Sequence, residues 1–307
     1  MCFNTAVADE QNSNHLPKLQ SMRPHSMKKA GIIYKHCITG RDIFHHIFCL
    51  QTGHALVYNG LTGKLEFEGI SMNERLVRIR ESERKSHTEI YTSQKLYHTD
   101  SWLKRPIKTV REIASHFDGY DALRVLDLGC GVGRNSIYIA ERFQKIPCMI
   151  DCVDLLAIAI EKLLDNAQAH NVTSSINGIT KSIEEYEIQS NSYDFIMAVS
   201  ALEHMDSQES FLSKLFEIKE GLRKNGIVCL VINSSVEETN TQTQEAMEAQ
   251  FEINLPTDKL QSILSNAFCD CEILKTTVAE QEYDIPRESC ISRLRTNVVT
   301  YAARKTD

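Results

Sequence analysis

The sequence contains no run of about 20 apolar residues, which is the length that a helix needs to cross a membrane. Its first residues, MCFNTAVADEQNSN, also lack the order of a secretory signal peptide, in which basic residues precede an apolar segment. We therefore expect a soluble, cytoplasmic protein that has no membrane partner.

The sequence also lacks any dense cluster of positive charge. Its 34 Lys and Arg are outnumbered by 41 Asp and Glu, so the formal net charge is −7. Because a protein that follows a phosphate backbone needs concentrated basic residues, we expect no nucleic-acid partner. The charge is uneven, since residues 1–71 have a balance of +2 and the remaining residues therefore carry −9.

Paired metal-ligand spacings are missing from the sequence as well. The ten cysteines are scattered, and several lie within apolar runs, which is typical of buried thiols in a reducing compartment. Residues 36–54 hold potential zinc ligands without the C-x-x-C or H-x-x-x-H pairs of structural sites, among them Cys37, His45, His46, Cys49 and His54. We therefore expect no metal site.

Apolar periodicity predicts an α/β fold for most of the chain. With 42% hydrophobic residues, the chain has enough apolar side chains for a sizeable core. From Asp127 onward, strand and helix patterns alternate, as in a doubly wound parallel sheet. The predicted strands are 124–128, 148–155, 175–180, 193–200, 227–233, 271–277 and 297–303. The predicted helices are 135–143, 156–170, 208–224 and 256–268.

The residues before this region are less regular. Residues 72–117 are strongly charged and have a helical pattern that is broken near Ser101 and Pro106. Residues 1–71 show no sustained helical periodicity, although ALVYNGLTGKLEFEGI (55–70) has the pattern of a β-hairpin. We therefore predict a poorly ordered or accessory extension at 1–71, a helical cap at 72–117 and an α/β domain at 118–307.

Three glycines stand at alternate positions in the stretch VLDLGCGVGRNS, residues 125–136. They lie between a predicted buried strand and a predicted helix, so they form a strand-to-helix turn. Such a turn presents free backbone N–H groups, and glycine lets a ligand approach the main chain closely. The turn therefore predicts a pocket for a nucleotide-like ligand.

The spacing of this turn differs from a dinucleotide-binding fingerprint. A G-x-G-x-x-G pattern that starts at Gly129 needs glycine at position 134, where the sequence has Arg134. Asp127 is a second difference, because a carboxylate opposes a pyrophosphate and attracts an ammonium group. The turn therefore favours S-adenosylmethionine, which has an ammonium group and no phosphate.

The motif DLGCGVGRNS resembles the first motif of the class I S-adenosylmethionine-dependent methyltransferases, which consists of a strand, an acid and G-x-G-x-G. The residues GRNS and the chain end VVTYAARK are similar in particular to the tellurite-resistance and related small-molecule branch. The resemblance implies S-adenosylmethionine as cofactor and a mostly parallel seven-stranded sheet in the order 3-2-1-4-5-7-6, with the last strand antiparallel. It also implies that N-terminal helices cover the site.

The resemblance assigns the methionine part of the cofactor to the end of the first strand. Gly129, Cys130, Gly131 and Gly133 would form the turn beneath it. Asp127 would receive the ammonium group, directly or through water.

The end of the second strand is assigned to the ribose. Asp154, followed by Leu155, lies where an acid can accept both hydroxyls of a nucleoside. One alternative is that Asp154 is a helix N-cap, and another is that Asp151 binds the ribose instead.

The third and fourth strands complete the predicted cofactor site. Ser182, Ile183 and Glu184 follow the third strand, where the resemblance implies contacts to adenine, and the alternative is a solvated acidic loop. Val199 and Ser200 end the fourth strand and would also touch the cofactor.

His204 is the candidate catalytic residue. It lies in VSALEHM at the carboxyl edge of the sheet, and histidine titrates near neutral pH, so it is a candidate general base toward the acceptor. The alternative is a histidine that is hydrogen-bonded within its loop. Further acceptor-side candidates are Tyr91, Tyr97, His98, Trp102, Arg287, Arg293 and Arg295.

Taken with the resemblance, the sequence predicts methyl transfer to a small molecule by in-line displacement, with release of S-adenosylhomocysteine. The signature Asn/Asp-Pro-Pro-aromatic, which marks methylation of the exocyclic amines of bases, is absent after the fourth predicted strand. The alternatives are a methyltransferase that acts on protein or RNA and a regulator that binds the cofactor without turnover.

Overall fold

The structure is a computed structural model, and it describes residues 33–38, 44–49, 55–59, 64–68, 71–99, 101, 103–287 and 290–306. The chain divides into two compact units, with the boundary between Arg78 and Ile79. The acceptor-side candidate Trp102 lies outside the described residues.

The first unit contains a four-stranded antiparallel sheet in the order β1-β2-β3-β4. Its strands are β1 (Ile33–Ile38), β2 (Phe44–Cys49), β3 (Ala55–Asn59) and β4 (Lys64–Glu68). The antiparallel pairing of β3 with β4, in which Asn59 faces Lys64, confirms the predicted hairpin. The side chains of the five named potential zinc ligands are not among those that the structure describes.

The predicted helical region 72–117 consists of two helices. Helix α1 (Ser71–Ser93) ends before the predicted break, and α2 (Lys108–Ala114) begins after it. Tyr97 has a left-handed backbone with φ of 59°, and its N–H donates to the carbonyl of Leu103 at 3.2 Å. The chain therefore leaves the helical path earlier than the sequence pattern indicates.

The second unit is an α/β sheet with an added short strand. Its strands are β5 (Leu123–Leu128), β6 (Cys148–Asp154), β7 (Ile176–Thr180), β8 (Tyr193–Val199), β9 (Leu222–Asn240), β10 (Ala246–Met247), β11 (Cys271–Pro286) and β12 (Ile291–Lys305). The helices that follow α2 are α3 (Ser136–Arg142), α4 (Ala157–Ala169), α5 (Gln208–Gly221) and α6 (Thr257–Ala267).

The sheet order is β7-β6-β5-β8-β9-β12-β11, and β10 pairs with β9 at the side. The strands β5 to β9 pair in parallel, whereas β12 runs antiparallel to both β9 and β11. Counted in chain order, this arrangement is 3-2-1-4-5-7-6 with an antiparallel last strand, so the predicted fold class is confirmed. The order reverses between β5 and β8, and a ligand pocket of an open α/β sheet forms at such a point.

Apolar side chains cover both faces of the sheet. Val125 of β5 packs in one cluster with residues of α2, α3 and α4, and its neighbour Leu126 packs in a second cluster with residues of α5 and α6. Alternate residues of a strand point to opposite faces, so a strand that is apolar throughout must be buried on both sides. Among the described residues, no helix has both the length and the apolar character of a membrane span.

The last strands are longer than the sequence predicts. The predicted strands 227–233, 271–277 and 297–303 are the sheet-bound parts of β9, β11 and β12. Helix α5 accordingly ends at Gly221 and not near residue 224, because the fully buried Leu222 already pairs with Tyr193 of β8. The additional parts, 234–240, 278–286 and 291–296, pair with one another, and together with the adjoining Arg287 they are called the β-arm.

A buried ion pair lies inside the β-arm. Arg287 donates to both carboxylate oxygens of Glu238, from Nε at 2.6 Å and from Nη2 at 2.7 Å. The hydroxyl of Ser292 donates to the same carboxylate at 2.5 Å. The side chain of Glu238 is fully buried, so these donors replace the water that its charge has lost.

The division predicted near residue 72 has a direct test. We propose that a fragment that begins at Met72 folds cooperatively, because it retains α1 and the whole α/β sheet. Its melting temperature should lie within a few degrees of that of the full chain, as measured by calorimetry. Limited proteolysis of the full chain should give a stable core that begins between about 65 and 80, since cleavage needs backbone that can open locally. Aggregation of the fragment would instead show that residues before Met72 belong to the folded core.

Candidate functional site

The glycine turn follows β5 and begins α3, as predicted. Its three glycines, Gly129, Gly131 and Gly133, have positive φ angles of 71°, 53° and 88°. Residues other than glycine rarely adopt such angles. An added Cβ would lie 2.3 Å from Cβ of Ala201 at Gly129 and 2.5 Å from Cδ1 of Leu163 at Gly133. These two glycines are therefore required for packing.

Gly131 has a different surrounding. An added Cβ would lie 3.0 Å from the hydroxyl of Tyr91 of α1, and no other residue that the structure describes is this near. The N–H of Gly131 donates to Oδ2 of Asp154 at 2.9 Å. Gly131 thus contacts both Asp154 at the end of β6 and Tyr91 of α1.

Asp127 lies under the turn and not in the pocket wall. It is 1% exposed, and its Oδ2 accepts a hydrogen bond of 2.5 Å from the hydroxyl of Ser136 at the start of α3. Burial raises the pKa of Asp127 to about 7, although the Ser136 hydrogen bond opposes this shift. Its contact in the structure therefore orders the turn from below, and the predicted contact with an ammonium group stays a prediction.

Asp154 ends β6 and lines the pocket. Its Oδ2 accepts from Gly131, and its Oδ1 accepts from the N–H of Leu156 at 2.9 Å, just before α4. Burial raises the pKa of Asp154, and these two N–H groups oppose the rise. Asp154 is not the N-cap of α4, because Leu156 occupies that position, and the bond from Gly131 ties the carboxylate to the glycine turn. The competing Asp151 is instead engaged within the sheet, where Arg124, Asn177 and Tyr193 donate to it.

The pocket is located at the carboxyl edge of the sheet. The residues that line it are Arg80, Glu83, Arg84, His87, Tyr91, Gly129, Asp154, Leu155, Leu156, Ser182, Ile183, Glu184, Ser200, Ala201, His204, Met205 and Glu252. Eight of the predicted site residues are among them. The other predicted cofactor-site residues, Asp127, Cys130, Gly131, Gly133 and Val199, are not in this lining.

The loop after β7 brings Ser182, Ile183 and Glu184 to the pocket as predicted. Oε1 of Glu184 accepts from Nη2 of Arg80 at 3.0 Å and from the N–H of Asp206 at 2.6 Å. This loop is therefore not simply a solvated acidic segment, because an arginine of α1 and the backbone after β8 both hold it.

Ser200 is strained where β8 leaves the sheet. Its φ is 50°, although it is not a glycine, and its N–H donates to the carbonyl of Val231 at 2.7 Å. Backbone strain of this kind is retained where neighbouring structure fixes it, often at functional sites. The bend turns the chain so that Ser200, Ala201 and His204 line the pocket.

Helix α1 supplies a wall that the sequence analysis largely missed. Arg80, Glu83, His87 and Tyr91 recur at helical spacing on one face and line the pocket, and of these only Tyr91 was a candidate. The spacing is visible in the sequence, but a charged helical face usually indicates exposure to solvent. Glu252, from the segment between β10 and α6, was missed because no sequence pattern relates it to the turn after β8.

His204 lies between two carboxylates. Its Nδ1 is 2.9 Å from Oε2 of Glu252 and 3.3 Å from Oε2 of Glu83. Burial by itself lowers the pKa of His204, but the hydrogen bond to Glu252 and the charges of Glu83 and Glu203 outweigh burial and raise the pKa to about 9. The ring is therefore protonated at neutral pH in this arrangement, whereas a general base must begin unprotonated.

The other acceptor-side candidates that the structure describes, Tyr97, His98, Arg287, Arg293 and Arg295, are not among the residues that line this pocket. Tyr97 donates its hydroxyl to the carbonyl of Arg134 at 2.8 Å. Arg287, Arg293 and Arg295 form ion pairs within the β-arm. Within the described part of the chain, no group of three or more His, Cys, Asp or Glu is arranged to hold a metal ion.

Part of the chain that forms the pocket is similar to known proteins. Residues 125–226 match the family model of the methyltransferase domain. A ubiquinone biosynthesis O-methyltransferase of Rickettsia bellii is 27% identical over 106 residues, which are 34% of this chain and 41% of that protein. Pavine N-methyltransferase of Thalictrum flavum is 28% identical over 95 residues, which are 31% of this chain and 26% of that protein.

These matches cover less than half of the length of either relative. Among solved structures, TehB from Haemophilus influenzae is 23% identical, with a TM-score of 0.49 over 65% of this chain and 62% of that chain. Residues 125–226, which include the G-x-G-x-G turn, are thus similar to methyltransferase domains, and this similarity implies S-adenosylmethionine as the cofactor.

Proposed function

We propose that this protein transfers the methyl group of S-adenosylmethionine to a small-molecule acceptor. The observation that carries the proposal is a pocket at which the glycine turn is hydrogen-bonded to the Asp154 carboxylate. Both the turn and Asp154 lie within the residues that match the methyltransferase domain. The names of the two matched relatives, which refer to ubiquinone biosynthesis and to pavine, support a small acceptor. The acidic charge balance outside residues 1–71 gives the alternative RNA acceptor no support.

The residues of the pocket fit this cofactor. A carboxylate has about four positions that can accept hydrogen bonds, and Asp154 uses one on each oxygen for Gly131 and Leu156. Both oxygens therefore retain capacity for the two hydroxyls of a ribose. The bare backbone of Gly131 allows the methionine part to lie close to the turn.

When bound, S-adenosylmethionine supplies a methyl group on a sulfonium, which is already a good leaving group. The protein must then align the acceptor with that methyl group and exclude water. In this proposal, Asp154 and the glycine turn fix the donor, and Ser182 and Ile183 form the wall beside the adenine. Helix α1 lies over the pocket through Arg80, Glu83, His87 and Tyr91.

Turnover tests this function. The purified full chain is incubated with S-adenosylmethionine and, separately, with pools of small metabolites, peptides and RNA, and S-adenosylhomocysteine is measured. We expect product with a small-molecule pool. Product with the peptide or RNA pool alone would overturn the proposed acceptor class, and cofactor binding without product in any pool would support the non-catalytic regulator.

Replacing Asp154 with alanine should weaken binding of S-adenosylhomocysteine by about 10-fold to 150-fold. Hydrogen bonds to a charged group contribute about 1.5–3 kcal/mol, and 1.4 kcal/mol is about a factor of ten. Titration calorimetry measures the change. The matched control is Asp165→Ala, which removes an exposed carboxylate on α4 that pairs with Lys162, and its affinity should equal that of the wild type. Equal affinities for Asp154→Ala and the wild type would mean that the ribose binds elsewhere.

A further inference from the structure

Three distant segments of the chain converge on one nitrogen atom. Nδ1 of His204, in the turn after β8, lies within 3.3 Å of carboxylates from Glu83 of α1 and Glu252 of the segment between β10 and α6. The side chain of Glu252 is 2% exposed, so its charge is almost completely withdrawn from water. We call these three residues the His204 clamp.

Further contacts fix the geometry of the clamp. The ring of Phe251 stacks on the His204 ring, with centroids 5.2 Å apart and planes inclined by 21°. The N–H of Ile253 donates to the carbonyl of Glu203 at 2.9 Å, so the segment that carries Glu252 is tied to the turn that carries His204. The ion pair is therefore held by ring and backbone contacts and not only by flexible side chains.

The surrounding charges favour a proton on His204. Among the described residues, the charged and titratable groups around the clamp include Arg80, Arg84 and His87 from α1, Glu184 from the loop after β7 and Glu203 from the turn. Within the described residues, Oε2 of Glu203 is buried and has no hydrogen-bond partner. If His204 were neutral, Glu83 and Glu252 would lose the cation that lies within 3.3 Å of both of their carboxylates. A buried carboxylate without a counter-charge is strongly destabilising, so the arrangement favours the imidazolium.

We infer that Glu83 and Glu252 are positioning residues, which hold His204 as a cation and thereby fasten helix α1 across the pocket to the turn after β8. The inference rests on the proposed function only for the identity of the ligand in this pocket. His204 in this role acts through its charge and its hydrogen bonds. The role differs from that of a general base, because a general base must begin unprotonated and the clamp holds a proton on the ring.

The clamp has a defined pH dependence. The pKa of His204 is raised from 6.5 to about 9, because the bond to Glu252 and the acidic charges outweigh burial. Burial raises the pKa of Glu83, and the positive charge of His204 opposes that rise. Because folding raises the pKa of His204, protonated His204 stabilises the folded state. This stabilisation is complete below the unfolded-state pKa of 6.5 and is lost as the pH rises through about 9. Above that pH, the carboxylates repel one another and α1 is released.

The first test is an NMR titration of the full chain labelled with ¹³C-histidine, without cofactor. His204→Gln identifies the His204 signal by its loss. We expect the ring to titrate near 9 in the wild type. In Glu252→Gln or Glu83→Gln, the affinity of the His204 ring for its proton should fall by about tenfold or more. This corresponds to a pKa that is lower by at least one unit. The control Glu187→Gln, in the exposed loop after β7, should leave the titration unchanged.

The second test measures the affinity for S-adenosylhomocysteine between pH 6 and pH 10. In the wild type, affinity should fall by about tenfold as the pH passes the pKa of His204, and Glu252→Gln should move this fall to lower pH. His204→Gln should bind more weakly at neutral pH and lose the dependence, which separates the clamp from other groups that titrate near 9.

The outcomes of the two tests are distinct. An ordinary pKa near 6.5 for His204, unchanged in Glu252→Gln, would overturn the inference whether or not the protein binds the cofactor. A shifted pKa with an affinity that is independent of pH would overturn the fastening of α1. Failure to bind S-adenosylhomocysteine at every pH, with the NMR shifts as expected, would overturn the proposed function and leave the charge on His204 established.

Discussion

Replacement of Gly131 with valine is expected to weaken binding of S-adenosylhomocysteine by about 100-fold or more, which corresponds to about 2.7 kcal/mol. The φ of 53° at this position is unfavourable for any β-branched residue. The added Cβ would also lie 3.0 Å from the hydroxyl of Tyr91. Valine would therefore fill the space that a ligand needs above the turn and disturb the bond from Gly131 to Asp154.

The matched control for this prediction is Gly119→Val. Gly119 has a φ of 91°, and an added Cβ would have no atom of the described residues within 4 Å. Both variants therefore introduce a strained backbone, at a cost of about 1–2 kcal/mol, but only one of them obstructs the turn. Titration calorimetry should show wild-type affinity for Gly119→Val. If both variants lost affinity equally, the effect at Gly131 would come from general destabilisation and the pocket would be wrongly assigned.

Replacement of Arg287 with methionine is expected to reduce the free energy of unfolding by about 3–5 kcal/mol, because it leaves a buried carboxylate without its counter-charge. Glu238 is fully buried and receives both hydrogen bonds of the Arg287 guanidinium. Urea denaturation followed by circular dichroism measures the loss. The β-arm should become susceptible to proteolysis at a lower urea concentration than in the wild type.

Two variants make this stability prediction specific. Arg295→Met removes an exposed pair with Glu282, in which the arginine is 65% exposed, and should cost less than about 1 kcal/mol. The double variant Glu238→Leu/Arg287→Met should recover most of the lost stability, because apolar side chains replace a buried ion pair with little cost. A loss in the double variant as large as in Arg287→Met would show that the cost comes from packing and not from unpaired charge.

Local sequence patterns determined the main course of the α/β sheet. The strand from Leu123 to Leu128 is mostly apolar because it is buried on both faces, and its two charged residues, Arg124 and Asp127, do not hide such a run in the sequence. The glycine turn is equally local, since positive φ angles at alternate positions require glycine. The sheet order came from the resemblance, and the sequence pattern alone would have left several orders possible.

The β-arm shows why some boundaries were missed. Its residues, such as EETN at 237–240, are polar and do not show the apolar run of a core strand. They are in strands because each segment pairs with another that lies far away in the chain, for example Thr239 with Arg293. Hydrogen bonds between backbones do not depend on side-chain type, so no local pattern reports them.

The composition of the pocket was decided by tertiary structure. Asp154, Ser200 and His204 were predictable because parallel strands bring their carboxyl ends to one edge. Glu83 and Glu252 were not, because a charged residue on a helix or loop looks the same in sequence whether it faces water or a buried partner. The sequence by itself thus determined the strands, the glycine turn and the chemistry of its ligand. Only the tertiary structure decided which charges meet, because the energy of an ion pair depends on distance and burial, and both arise when separate segments pack.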